Sequence, residues 1–591
     1  MPPPADNGDT QQLNLLFQQA VRLHQAGQLG EAEKIYAHIS SRRPDHVGAL
    51  QLRGVIQLQI GRLEQAVELI RRAVALRPDY ADAHANLGYA LFRLGKAEEA
   101  IAAYRRAIEI NPNHPEAWNN LGNALLGRGE LESAVEAYRN AIRIRPGYAE
   151  AMNNLANALK SAGKLEDAIV ILRAAEEKSK QAAIGSALLH TLLFDPRYSA
   201  GELLKEHQAW AKRYAEPLRS VVVPHANKRE ADRRLRVGYV SPDFRRSHCQ
   251  SLFMTPLLEA HNRSQFEIFC FSDVPRGDDI TERQKRSADV WREIAGMHDA
   301  AVAEKIREDR IDILVDLTMH MAAGRPLMFA RKPAPVQVAW LAYPGTTGMT
   351  AMDYRLTDPH LDPPGEYDGD YVEKSIRLPS TFWCYDAMSE EAVSELPAEK
   401  NGFVTFGCLN NFCKVNPQVL SLWAKVLGKV PGSRLTLLSP AGGHRAAVLE
   451  QLGLGEDRVT FVEARPRDRY LKLYHDIDIA LDTFPYNGHT TSLDGFWMGV
   501  PVVTRVGKKV VGRAGVSQLE NLGLSQLVAE TDEQFVEIAS ALAGDLPRLS
   551  QIRSSLRERM KHSPVCDAAG FARGIEAAYR EMWRASCAQT P

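Results

Sequence analysis

At 591 residues the chain is too long for one hydrophobic core, and its 45% hydrophobic and 25% charged residues are those of a folded polypeptide of several domains. A formal net charge of -1 gives no whole-chain attraction for nucleic acid or an anionic membrane surface, and neither is expected as a partner. The seven cysteines are scattered without a C-x-x-C pair, which excludes a disulfide framework and a structural zinc site, and "MPPPADNGDTQQLNLLF" has neither the charged nor the apolar region of a leader; a cytoplasmic protein is expected.

The first third is periodic. Gly27, Gly61, Gly95, Gly129 and Gly163 recur every 34 residues, as do Ala32, Ala66, Ala100, Ala134 and Ala168. Pro44, Pro78, Pro112 and Pro146 keep the same step, and Lys180 stands where the next proline is due. Small residues let paired helices approach, glycine permits the turn between them, and proline ends the second helix. The stretch "NLGYALFRLGKAEEAIAAYRRAIEINP" resembles the tetratricopeptide repeat, in five copies over residues 13–182. Such arrays offer a concave groove for a protein partner. Asn86, Asn120 and Asn154 hold equivalent places in three repeats, with Asn123 and Asn157 one turn further on. These amides either brace neighbouring helices or bond the backbone of an extended acceptor peptide, since each both donates and accepts.

Residues 183–230 read as connecting helices. Beyond them short β-rich runs alternate with helix-length segments: "LRVGYVS", "FEIFCFS", "IDILVDL" and "VQVAWLAY", then "FVTFGCL", "RLTLLS", "VTFVE", "IDIALD" and "PVVTRV". This alternation implies two parallel sheets covered on both faces, in halves 231–398 and 399–591, with the irregular stretch from Thr357 to Asn401 as their boundary. Ligands of such sheets bind beyond the carboxyl ends of the strands, which places a site in the cleft between two facing halves.

The segment "FPYNGHTTSLDGFWMGVPVV" fits that position. A strand, "IDIALD", delivers Gly488, His489, Thr490 and Thr491 to the start of a helix, where free amides and the helix dipole attract an anion and glycine lets a phosphate come close. Asp494, one turn in, can accept from ribose hydroxyls. "FGCLNNFCKVNP" ends another strand and supplies Asn411 and Lys414, a cation placed to offset charge on a diphosphate. The pair Asp476 and Asp478 has D-x-D spacing, but its Ile opens a β run, so strand capping is expected and no metal.

Five segments, "RVGYVSPDFRRSH", "DLTMHMAAGR", "RKPAPVQVAWLAYPGTTG", "FGCLNNFCKVNP" and "LDTFPYNGHTTSLDGFWMGVPVVT", resemble in content and order the protein O-GlcNAc transferase and SPINDLY family, glycosyltransferase family 41. The resemblance implies an α + α/β chain: a tetratricopeptide α-solenoid followed by a GT-B glycosyltransferase of two Rossmann-like halves. It also implies inverting, metal-independent transfer of a sugar, GlcNAc from UDP-GlcNAc first among donors, to Ser or Thr hydroxyls of proteins held by the repeats. The nucleotide sugar is a co-substrate, and no cofactor is implied.

Carried over by motif, Lys414 bears the charge of the departing diphosphate with Asn411, His489, Thr490 and Thr491, and Asp494 holds the ribose. Arg467 and Tyr470 border the base. His248 faces sugar and acceptor, as base or as orienting group, with Asp316 and His320 as further catalytic candidates; His320 reads equally as a structural histidine. Pro344, Gly345 and Thr346 shape the sugar pocket. The chain departs from the family pattern at three places: one extra residue precedes His248, Met319 stands where many relatives have Gly, and Ala342 stands in "WLAYPG". These departures bear on the donor sugar, so O-fucosyl transfer from GDP-fucose and glucosylation of asparagine remain alternatives, as does a non-catalytic repeat scaffold.

Overall fold

The computed structural model describes residues 7–588. Packing divides the chain into two compact units, one reaching to Leu159 and the other running from Lys160.

The first unit is a series of antiparallel helix pairs, from Asn7–Gln25 with Leu29–Arg42 to Pro115–Gly127 with Leu131–Ile144. Its period has the physical origin expected. Ala32, Ala66, Ala100 and Ala134 are fully buried, and the turn glycines, Gly27 through Gly129, sit at φ 76 to 82°, a region other residues enter only at a cost. The residues before the prolines, such as Arg77 and Arg145, are extended rather than helical, as proline requires of its predecessor. At the missing proline, Lys180 ends its helix in the left-handed conformation at φ 54°. Gly54, Gly88 and Gly122 are needed for packing instead: a Cβ at Gly122 would lie 2.5 Å from the Tyr138 ring. Gly122→Val is therefore expected to lower stability by about 1–3 kcal/mol by overpacking, read as a fall in the denaturant midpoint; an unchanged midpoint would show that the ring can yield.

The repeat pattern runs to residue 182, but the packing boundary lies earlier, between Leu159 and Lys160. The cause is local. A Cβ at Gly163 (φ 74°) would lie 2.9 Å from the Phe412 ring, so the turn at Gly163 packs on the α/β body.

That second unit holds two parallel sheets. The first has order β3-β2-β1-β4-β5-β6-β7, from Leu235–Ser241 (β1), Phe266–Ser272 (β2), Val290–Glu293 (β3), Ile313–Asp316 (β4), Val336–Ala339 (β5), Tyr354–Thr357 (β6) and Lys374–Arg377 (β7). The second has order β10-β9-β8-β11-β12-β13, from Thr405–Cys408 (β8), Arg434–Leu438 (β9), Val459–Val462 (β10), Ile479–Leu481 (β11), Val502–Arg505 (β12) and Val528–Ala529 (β13). Central strands read from the sequence because both faces are buried; Val237 is flanked by Ile268 and Ile313. Four strands did not read: β3, β6, β7 and β13. Three of them are edge strands, and "VWRE" and "KSIR" are half-exposed and lack an apolar run. Thus β7 lies inside the stretch taken as a boundary loop.

A second correction concerns the C-terminus. The helix Ala568–Ala588, assigned by chain order to the second half, packs on the first. Phe571 stacks on Trp340 at 5.6 Å, Tyr579 meets the Tyr239 hydroxyl at 3.2 Å, and the His261 ring bonds Glu576 at 2.8 Å. The buried stripe Phe571, Ile575, Tyr579, Met582 and Trp583 identifies an amphipathic helix, but periodicity does not say which sheet it covers.

Candidate active site

The carboxyl ends of both sheets face one cleft of about 1080 Å³. From the first half come His248, Cys249, Met321 and Ala342; from the second, Asn411, Lys414, Arg467, Tyr470, His489, Thr490, Thr491 and Asp494. The connecting helix Ala182–Leu192 and the turn after it add His190 and Phe194.

The anion-binding turn is built from buried polar groups. Asp482, just past β11, accepts from the Gly488 amide at 2.7 Å and from the Thr504 hydroxyl at 2.7 Å, and burial raises its carboxyl pKa to about 6. A Cβ at Gly488 would lie 2.3 Å from Ser492 Oγ, so this glycine also serves close packing of the turn itself. The helix Thr490–Trp497 that follows has no side-chain cap, which leaves its first-turn amides without a side-chain acceptor at the cleft wall. His489 is half-buried, with its Nε2 enclosed and lacking a hydrogen-bond partner among the described residues, and desolvation, then Lys414, lowers its pKa to about 3. At neutral pH its ring is therefore uncharged.

Lys414 ends the short turn Phe412–Lys414 beyond β8. Its ammonium donates to the Asn487 carbonyl at 2.6 Å and lies 4.3 Å from the centroid of the Tyr486 ring. Burial lowers its pKa, opposed chiefly by Cys413 and Asp482. One of three N–H bonds is occupied by Asn487, so the group can still donate to an anion.

Asp494 lines the cleft but is already engaged. Arg467 donates to its carboxylate at 2.8 and 3.2 Å, and the Tyr385 hydroxyl at 2.6 Å. A carboxylate offers about four acceptor positions, so one remains for a ribose hydroxyl. Tyr470 bonds Tyr474, which donates to the Thr491 carbonyl at 2.8 Å, tying the base-side wall to the anion turn.

His248 Nδ1 lies 3.6 Å from Asp243 Oδ2 and 3.3 Å from the Gln250 amide. A base acting through Nε2 needs its proton on Nδ1, the tautomer that Asp243 favours and that the Gln250 N–H, which donates to Nδ1, opposes. Burial lowers the His248 pKa while Asp243 opposes the change.

Other expected residues lie elsewhere. Asp316 and His320 do not line the cleft. Asp316 is buried and accepts the Thr318 and Met319 amides of its own turn at 2.9 Å each, and burial raises its pKa to about 6. His320 bridges Ser186 Oγ and the Thr347 carbonyl, at 3.0 and 2.9 Å, and burial lowers its pKa to about 3. It is a structural histidine that fastens a connecting helix to the loop after β5. Met319 adopts φ 50°, a conformation that glycine enters without steric cost. Pro344, Gly345 and Thr346 are likewise outside the cleft lining: Glu373 accepts from the Thr346 hydroxyl at 2.6 Å, and the Gly345 carbonyl accepts from Arg355. A strand-end address does not separate a turn that meets ligand from one that only closes the fold.

In the repeats, Asn154 donates to Asn119 and Asn123, and Asn123 also accepts from Tyr138. Asn119, which sequence reasoning missed, is fully buried and donates to Asn120 and Glu150. Bracing is therefore the role seen for Asn120, Asn123 and Asn154, whereas Asn86 is half-buried and Asn157 exposed. Asp478 accepts the Ala398 and Thr405 amides at 2.9 and 2.7 Å, so this member of the D-x-D pair serves in capping. Among the described residues no group of three His, Cys, Asp or Glu side chains is arranged to hold a metal, and no helix is long and apolar enough to cross a membrane. His190, Phe194, Tyr385 and Tyr486 are site residues the sequence did not offer; of these only Tyr486, inside the "FPYNGHTT" segment, lay beside a legible signal.

Two parallel α/β halves facing across one cleft, with a cation and a helix N-terminus at strand ends, define a GT-B glycosyltransferase fold, here preceded by a tetratricopeptide solenoid. The family description "Glycosyl transferase family 41" matches residues 218–397 and 387–575, and the chain belongs to that family. Tetratricopeptide descriptions match residues 54–95, 88–128, 122–163 and 149–182. The chain is 41% identical over 401 residues to a probable UDP-N-acetylglucosamine–peptide N-acetylglucosaminyltransferase SPINDLY of Petunia hybrida, covering 66% of this chain and 43% of that one. It is 32% identical to the SEC protein of Arabidopsis thaliana, named as a probable enzyme of the same kind, over 61% of this chain and 38% of that one. The chain thus spans less than half the length of these relatives. Among solved structures, a lysine-to-methionine mutant of the Thermobaculum terrenum O-GlcNAc transferase superposes with a TM-score of 0.79 at 37% identity, covering 86% of this chain and 98% of that one.

Proposed function

We propose that this chain is an inverting, metal-independent protein O-glycosyltransferase that moves GlcNAc from UDP-GlcNAc to Ser or Thr hydroxyls, with the repeats holding the protein acceptor. The observation that carries the reading is the meeting of Lys414, with N–H bonds to spare, and the uncapped helix start at Thr490 in one cleft that His248 enters from the other half. Breaking the sugar–phosphate bond leaves negative charge on the diphosphate, and these donors are placed to receive it. His248, with Asp243 behind it, takes the acceptor proton as the new bond forms. The printed names of the relatives support the donor choice. The test is hydrolysis and transfer across a panel of nucleotide sugars in excess chelator, with products read by mass spectrometry. Transfer from UDP-GlcNAc to Ser or Thr is expected. Transfer only from a GDP sugar, modification of asparagine, or a strict requirement for Mn²⁺ or Mg²⁺ would each overturn a stated part, and no turnover of any donor would favour a binding scaffold.

The pH profile follows from the same groups. Burial holds the His248 pKa below the ordinary 6.5, so the neutral base is lost, and rate falls, only as pH drops below that value. Burial also holds Lys414 below the ordinary 10.5, so the cation is lost as pH rises through a value under 10.5. A bell-shaped profile between these limits is expected. A bound diphosphate raises the lysine pKa, so the alkaline limb of kcat should lie above that of kcat/KM. Coincident alkaline limbs would remove Lys414 from contact with the diphosphate.

A further inference from the structure

We propose that Phe194 and Tyr486 form a two-ring support that fixes the Lys414 ammonium in its working position, which makes the turn after the connecting helix Ala182–Leu192 a positioning element of the active site. The face of Tyr486 lies under the ammonium at 4.3 Å from the ring centroid, within the range of a cation–π contact. Phe194 stacks on the same ring, with centroids 4.9 Å apart and an interplanar angle of 22°, and the His489 ring stands 5.2 Å from it. One aromatic ring is therefore shared by the cation, the connecting segment and the histidine of the anion turn. The Phe194 turn is itself anchored. Buried Lys509, in the loop after β12, donates to the carbonyls of Asp195 and Tyr198 at 3.2 and 3.0 Å.

The arrangement meets a specific need. The titratable groups facing Lys414 are Cys413, Asp482, Cys408, Cys249, His190 and His489. The buried Cys408 and Cys413 thiols are raised, the exposed Cys249 thiol is raised as well, and both imidazoles are lowered, so at neutral pH Asp482 is the anion of the set, and its oxygens are taken by the Gly488 and Thr483 amides and the Thr504 hydroxyl. A carboxylate paired directly with Lys414 would neutralise it and compete with the diphosphate. A ring face steadies the cation without an acceptor atom, and the N–H bonds that Asn487 does not take stay available to the leaving group.

The catalytic consequence rests on the proposed role of Lys414, whereas the ring support is testable without turnover. Competitive amine acetylation of the full chain without donor, read by mass spectrometry at Lys414 across pH, gives the titration of that ammonium. Tyr486→Leu should move the titration to lower pH by about one unit, and Tyr486→Phe should restore it, because the ring face and not the hydroxyl acts. Phe194→Leu keeps apolar bulk but loses the stack, and should shift it in the same direction by less. A wild-type titration in folded Tyr486→Leu, or an equal shift in Tyr486→Phe, would overturn the proposal. Should Tyr486→Leu fail to fold, an unshifted Phe194→Leu would overturn it as well. Absence of sugar transfer by the wild-type chain would sink the proposed function and leave this titration unaffected. With transfer present, kcat of Tyr486→Leu should fall at least tenfold more than donor affinity, with its alkaline limb displaced by the same shift as the titration.

Discussion

Lys414→Ala is expected to slow sugar transfer by about a hundredfold or more, while weakening donor binding far less, on the scale of losing one preorganised donor from an oxyanion site. The asymmetry follows from timing. On the proposed reading, a diphosphate bound at the helix start at Thr490 already carries its charges in the ground state; the additional charge develops only as the sugar leaves, and the ammonium gains most there. The 2.6 Å bond to Asn487 and the ring beneath it mean that little reorganisation is needed at that moment. Lys414→Arg should rescue poorly, since a planar guanidinium cannot occupy the same point between ring and carbonyl. Single-turnover transfer at saturating donor, with affinity measured separately, checks both. Near-normal turnover in a folded Lys414→Ala protein would take the residue out of the chemistry.

Arg467→Ala is expected to cost about 3 kcal/mol of stability, because Asp494 is almost fully buried and would keep only the Tyr385 hydroxyl against its charge. Arg467 also donates to the Ala387 carbonyl at 2.9 and 3.1 Å, so its loss frees the segment beside the nucleotide wall. Donor affinity should fall with stability, since the Asp494 position left for a ribose hydroxyl is held by this pair. The denaturant midpoint and UDP affinity are the measurements. If Arg467→Ala retains both, the ion pair does not hold Asp494, and the cleft wall owes its order to other contacts.

The two expectations depend differently on sequence. The place of Lys414 in the cleft was legible because it follows a strand end in the half that also carries "GHTT", although a lone lysine is more often a solvated surface charge. The Arg467–Asp494 pair was not legible as a pair: its members are 27 positions apart, and each was read as a separate ligand contact. Asp316 and His320 show the opposite error. Asp316 ends a buried strand and His320 follows it, as Lys414 follows β8, yet one closes its own turn and the other joins the loop after β5 to a connecting helix.

Local chemistry in the chain determined the repeat period, the central strands and the anion turn. Glycine at positive φ, alanine at a helix crossing, proline at a helix end and a two-sided apolar strand each leave a mark within a few residues, because the forces that select them act over one turn or one strand pair. Only the tertiary structure decided which strand-end turns open into the cleft, that the last helix returns to the first sheet, and that Phe194 reaches the ring under Lys414. These contacts join residues tens to hundreds of positions apart. Burial of apolar surface is non-directional, so a sequence shows that a face will be covered while packing alone selects what covers it.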